Sequence, residues 1–151
     1  MKNLYDRENA RDIRERIERL RPESARQWGK MNPPQMLAHL AEFMAMACDD
    51  VRPPRMFVGR LFGRFVKRLT VDREDRAVPK NAPTVPGCAI GDERDFEKER
   101  ARLLGLVDRF IAGGPAACTT HPHAFFGRLT PDEWAVLMYK HLDHHLRQFS
   151  A

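Results

Sequence analysis

Three of the six histidines stand together near the C-terminus, in the stretch YKHLDHHLRQF that begins at Tyr139. His141 and His145 are four residues apart, and a helix places residues at that spacing on one face. The segment has a firm helix start, with Thr130 as N-cap, Pro131 at the first position and Glu133 at the third. At about 100° per residue, Trp134, Leu137, Met138 and Gln148 share the face of the pair, which makes it inward and mainly apolar. Two neutral imidazoles projecting from such a face suit a divalent metal. A helix end also uses histidine to cap carbonyls or complement its dipole, so spacing alone leaves both readings open.

A second inward histidine bears on that choice. His39 lies among Met36, Phe43 and Met46 on a face of an earlier helix. Burying an imidazole there without a partner would cost about 1–3 kcal/mol. A carbonyl or a buried tyrosine would satisfy it as a core histidine; a shared site with His141 and His145 would satisfy all three rings at once. Three nitrogen ligands leave one position open on a tetrahedral metal, as in catalytic sites. Glu42 and Asp143 are candidates to orient the imidazoles through their second nitrogens, or else are solvated charges. His144 is adjacent to the pair as a surface residue, a base beside the ligands or an alternative ligand. Cys48, half a turn round the wheel from His39, should point away. A zinc peptidase of the HExxH type needs glutamate where this chain has Leu142, so that class lacks its base.

The elements that must position these residues are helical. The first helix should run from Asp6 to Leu20, with Ala10, Ile13, Ile17 and Leu20 as a narrow apolar stripe. The second starts at the Asn32 cap with Pro33 and Gln35 behind it, and is apolar almost all round. After Pro53 and Pro54, RMFVGRLFGRFVKRL reads as a shorter basic amphipathic helix. Residues 71–92 hold Pro79, Pro83, Pro86, Gly87 and Gly91, which predicts a long loop. A further helix is expected from Glu93 to Ala112, stopped by Gly113-Gly114. The last runs from Thr130 to Phe149. No alternating strand pattern occurs, so the expected architecture is all-α: a four-helix bundle with an additional short helix and a long Pro-rich loop.

With 151 residues, 42% of them hydrophobic and 31% charged, the chain fits a single domain over 1–151 with a real core. No apolar run approaches the roughly 20 residues of a spanning helix, and the charged N-terminus lacks a secretory apolar region. Three widely spaced cysteines, Cys48, Cys88 and Cys118, fit reduced thiols. A cytoplasmic protein without a membrane partner is the expectation. The net charge of +5 is concentrated between Val51 and Leu69, where Arg52, Arg55, Arg60, Arg64, Lys67 and Arg68 occur with no acid.

The stretches WGKMNPPQMLAHLAE from Trp28, KNAPTVPG from Lys80, FFGRLTPDEW from Phe125 and YKHLDHHLRQF resemble the DinB/YfiT-like superfamily of small metal-binding four-helix bundles. The resemblance is closest to a branch of unknown function. It implies a divalent metal, zinc or nickel, on one histidine of the second helix and the HxxxH pair of the last: His39, His141 and His145. It implies a homodimer as well. Characterised relatives include transferases and isomerases that use a low-molecular-weight thiol. The branch usually has His-Pro directly before Phe-Phe-Gly, whereas this chain reads HPHAFFG, which leaves the roles of His121 and His123 open.

The leading expectation is therefore a metal-dependent transferase that joins such a thiol to a small electrophile. Residues 52–68 are either a solvated helix face or the receiver of the thiol's carboxylates. The alternatives are a metal-dependent hydrolase of a small ester or amide, and a non-catalytic metal-stabilised or nucleic-acid-associated stress protein. No nucleic-acid-binding signature accompanies the basic helix, so no nucleic-acid partner is expected.

Overall fold

The computed structural model describes residues 1–74, 78–82 and 84–151. Among the described residues five α-helices follow one another: α1 (Arg7–Arg19), α2 (Pro33–Ala47), α3 (Phe57–Thr70), α4 (Phe96–Gly113) and α5 (Pro131–Gln148), with a 3-10 turn at Pro115–Ala117. The described residues contain no strand, and the architecture is an all-α bundle.

The helix starts follow from capping. Asp6 accepts hydrogen bonds from the amides of Glu8 and Asn9 at 3.0 Å each. Asn32 with Gln35, and Thr130 with Glu133, form reciprocal capping boxes, each preceding a proline in the first turn. Helix α3 begins at Phe57, two residues inside the stretch that starts at Arg55, and α4 departs further. It begins at Phe96 rather than Glu93, because the Asp95 carboxylate accepts from the Lys98 amide at 2.7 Å and takes the cap position. Its end is set by Gly114 at φ 59°, a conformation that favours glycine.

Packing places α1 and α2 on opposite corners, each in contact with both α4 and α5. Helix α2 is the central element: Met36, Leu37, Ala38, Ala41, Met44 and Ala47 are fully buried. Ile13 and Ile17 of α1, Leu103 and Val107 of α4, and Trp134, Met138 and Leu142 of α5 complete the core. This explains the all-round apolar character of α2, which no wet face interrupts. All three cysteines are free thiols, and Cys48 donates to the Leu106 carbonyl on α4.

Residues 71–92 are loop where described; Pro83, one of its prolines, lies outside the described residues. Helix α3 sits outside the bundle, on the segment that follows the 3-10 turn. The Met56 amide donates to the Ala124 carbonyl at 2.9 Å, and Lys67 pairs with Glu133 of α5. Gly59 and Gly63 are buried directly against the Phe125 backbone.

A Cβ at either glycine would collide with the Phe125 carbonyl, a main-chain atom that cannot swing aside. Gly63→Ala should therefore destabilise the docked α3 by about 1–3 kcal/mol. Urea unfolding, with amide exchange along α3, measures this; an unchanged midpoint and unchanged α3 protection would refute the close approach.

Candidate metal centre

Helix α2 contributes His39 and α5 contributes His141 and His145, and their rings form a nearly equilateral triangle. Centroid separations are 5.0 Å for His39–His141, 4.8 Å for His39–His145 and 4.9 Å for His141–His145. One ligand-capable atom from each lies within 4.8 Å of the others. His39 and His145 are buried and His141 is half-buried.

Hydrogen bonds on the outer nitrogens fix which lone pairs face inward. His39 Nδ1 lies 2.7 Å from the Cys88 carbonyl oxygen. A carbonyl only accepts, so this nitrogen carries the proton and Nε2 is left with a lone pair. His145 Nδ1 lies 2.8 Å from Gln148 Oε1, while Gln148 Nε2 donates to the Trp28 carbonyl at 2.6 Å. The Trp28 carbonyl thus sets the amide's orientation, the amide oxygen takes the His145 Nδ1 proton, and His145 Nε2 is free as well. Both rings have the neutral outer partner characteristic of metal-ligating histidines.

The inward distances match the same chemistry. His39 Nε2 and His141 Nε2 are 3.1 Å apart. Two nitrogens on a tetrahedral ion at about 2.0–2.1 Å would be about 3.3 Å apart. Facing lone pairs at this range repel unless a proton on His141 or a cation sits between them. Protonation of the whole cluster is opposed. Desolvation lowers His39, and lowers His145 to about 3 with the His39 charge adding to it. His141 is held well below its ordinary value, first by desolvation and then by His145 and His39. The rings are therefore neutral near pH 7, the state a metal requires. The donor set fits a divalent ion of the borderline-soft type.

The other expected participants fall elsewhere. Glu42 pairs with Arg102 at 2.8 Å, and Asp143 with Arg16 at 2.8 Å and Arg147 at 2.9 Å. Neither bonds to a ring of the cluster; the Cys88 carbonyl and the Gln148 amide do. Gln148 was within reach of sequence reasoning, three residues beyond His145 on the histidine face. The Cys88 contribution is a backbone atom, which residue type does not advertise. His144 is half-buried, packs on Trp28 at 5.4 Å and is outside the three-residue cluster.

The loop histidines hold structure. His121 Nε2 lies 3.2 Å from the Pro53 carbonyl. His123 is buried between Phe43, Phe126 and Trp134, and its Nδ1 accepts from the amides of Phe125 and Phe126 at 3.1 and 3.2 Å. It shapes the turn on which α3 rests.

A model of a protein family of unknown function, DUF1569, matches residues 3–151. The chain belongs to the DUF1569 family. No curated protein and no solved structure matches it significantly. The DUF1569 match covers every residue of the cluster and both of its orienting groups.

Two expectations follow. Gln148→Leu removes the acceptor for His145 Nδ1 and leaves the Trp28 carbonyl without its donor, so metal affinity should fall about 10–100-fold. Competition against a chromogenic chelator measures it, and an unaltered affinity would show that Gln148 does not orient His145. The second concerns acid stability. Desolvation, then the nearby Arg55 charge, holds His123 down at about 4, against about 6.5 in the unfolded chain. Its neutral form stabilises the fold fully above pH 6.5, and that contribution is lost as pH falls towards 4. His123→Asn keeps an acceptor for the two amides and should flatten this limb by at most about 1.4 kcal/mol per pH unit. Urea unfolding at a series of pH values tests it; an identical slope would mean His123 titrates normally.

Proposed function

We propose that this DUF1569 chain is a divalent-metal protein of the DinB/YfiT-like kind, with His39, His141 and His145 as ligands and zinc or nickel as the ion. We propose further that it is a transferase joining a low-molecular-weight thiol to a small electrophile. The observation that carries the metal reading is the convergence of three neutral imidazoles, two of them with the outer nitrogen already committed to a neutral acceptor. Three protein ligands leave a coordination position for a reactant, the pattern of a catalytic site.

Bound there, the ion would supply Lewis acidity, sufficient to keep a thiol deprotonated or to acidify water near neutral pH. The protein's own part is orientation and exclusion. The Cys88 carbonyl and Gln148 keep two rings aimed inward, and Phe43, 4.4 Å from the His141 ring, keeps water from that flank. Lys80 lies 4.5 Å over the Trp28 ring, which packs on His144 beside His145, and so places a cation near this end for a thiol's carboxylate. The cations of α3 line a groove that shares no residue with the cluster, which leaves Lys80 the better candidate for that role.

Elemental mass spectrometry on untagged protein should find about one divalent ion per chain, lost in His141→Ala. Wild type that contains no metal and takes up none on reconstitution would make these core histidines. With metal established, turnover of model electrophiles should require added thiol; turnover without it would replace transfer by hydrolysis.

A further inference from the structure

Six large apolar side chains of α3 face solvent: Phe57, Val58, Leu61, Phe62, Phe65 and Leu69, at 42% to 75% exposure. Apart from Met1, they are all the exposed large hydrophobic residues in the described structure. They form one strip, turned away from the Gly59–Gly63 face that packs on Phe125. A monomer seldom leaves such a strip in water.

Arg60, Arg64 and Arg68 run along one edge of the strip at every fourth residue, and α3 has no acidic residue. With Arg128 they line an open groove of about 600 Å³ between α3 and the Phe126–Arg128 turn. None of these four arginines makes an ion pair or a side-chain hydrogen bond with a described residue. By contrast, Arg55 and Lys67, in the same groove, are already engaged by the Gly59 and His123 carbonyls and by Glu133. Asp72 is the groove's single acid.

We infer that α3 is a membrane-surface helix that lies in the plane of an anionic phospholipid surface. Its aromatic and aliphatic strip enters the boundary of the acyl chains, and its free arginines receive phosphate headgroups. The combination of a strongly amphipathic helix, low overall hydrophobicity, arginine at the edge and Phe and Leu at the centre is what such binding requires. Charge complementarity selects this occupant. A second copy would cover the strip but offer the arginines no anion, because neither helix carries an acid. A nucleic acid would satisfy the arginines and leave six apolar side chains in water. An in-plane helix crosses nothing, so the lack, among the described residues, of a helix long and apolar enough to span a bilayer has no bearing here.

Flotation of the full chain with vesicles tests this. Vesicles of equal phosphatidylglycerol and phosphatidylcholine should carry the protein, pure phosphatidylcholine vesicles about tenfold less, and high salt should release it. Leu61→Ser/Phe65→Ser and Arg60→Gln/Arg64→Gln/Arg68→Gln should each lower partitioning about tenfold, with helical circular dichroism and metal content unchanged. If a variant fails to fold, the dependence of wild type on lipid charge and salt still decides. Folded wild type that ignores anionic vesicles overturns the proposal. So does a wild-type dimer that Leu61→Ser/Phe65→Ser converts to monomer without any vesicle binding, which would give the strip to a second copy. Retention by RNA or by inorganic phosphate with none by vesicles overturns it equally.

Discussion

Two short hydrogen bonds at the edge of the cluster govern what its centre can do. An imidazole has one lone pair and one N–H when neutral, and burial favours that neutral state. Once Cys88 and Gln148 accept the outer protons of His39 and His145, the inner nitrogens have only lone pairs to offer. The interior of the bundle then presents inward electron pairs that a cation, or an N–H donated by His141, can relieve. Everything around it serves this arrangement. Helix α2 is apolar on all sides because it must bring His39 to the middle of the molecule, and α5 buries Trp134, Met138 and Leu142 to hold its histidine face inward.

The long loop earns its length in the same terms. A stretch over residues 71–92 whose described residues form no helix or strand is unusual in so small a domain. Its described part returns to the core at Val85 and Cys88, both buried, in a turn closed by the Cys88 amide donating to the Val85 carbonyl at 3.0 Å. The loop therefore reaches across the bundle to supply one acceptor. Helix α3 is the counterpart on the outside: it is fastened by its glycine face and by Lys67, and contributes nothing to the core.

Much of this was legible in the residues. Caps at Asn32 and Thr130 are local chemistry, so α2 and α5 start where their sequences say. The fourfold spacing of His141 and His145 needs only helical geometry, and the apolar company of His39 points it inward. Less local features were hidden. Asp95 was obscured as a cap by the charged run around it, and α4 was expected three residues early. Glu42 pairs with Arg102 and Asp143 with Arg16, arginines on other helices and distant in sequence, and Asp143 also with Arg147 in its own helix. Of the two readings open from the sequence, orienting group or plain charge, these ion pairs leave the second. For α3, the wheel shows an apolar side but not which way it turns; the direction depends on the Phe125 backbone, which admits only glycine.

The hold on His39 also separates two kinds of information in the chain. Position 88 acts through its carbonyl, while its thiol is buried and pushed up to about 11, chiefly by desolvation. The His39 imidazole is thus indifferent to the side chain there and sensitive to the path of the main chain. Substitution that respects the turn leaves the tautomer of His39 intact. Insertion or deletion of a residue between Val85 and Cys88 displaces the acceptor, frees the Nδ1 proton to migrate, and turns an inward electron pair into a donor. The centre is in this sense encoded by spacing along a loop as much as by three histidines.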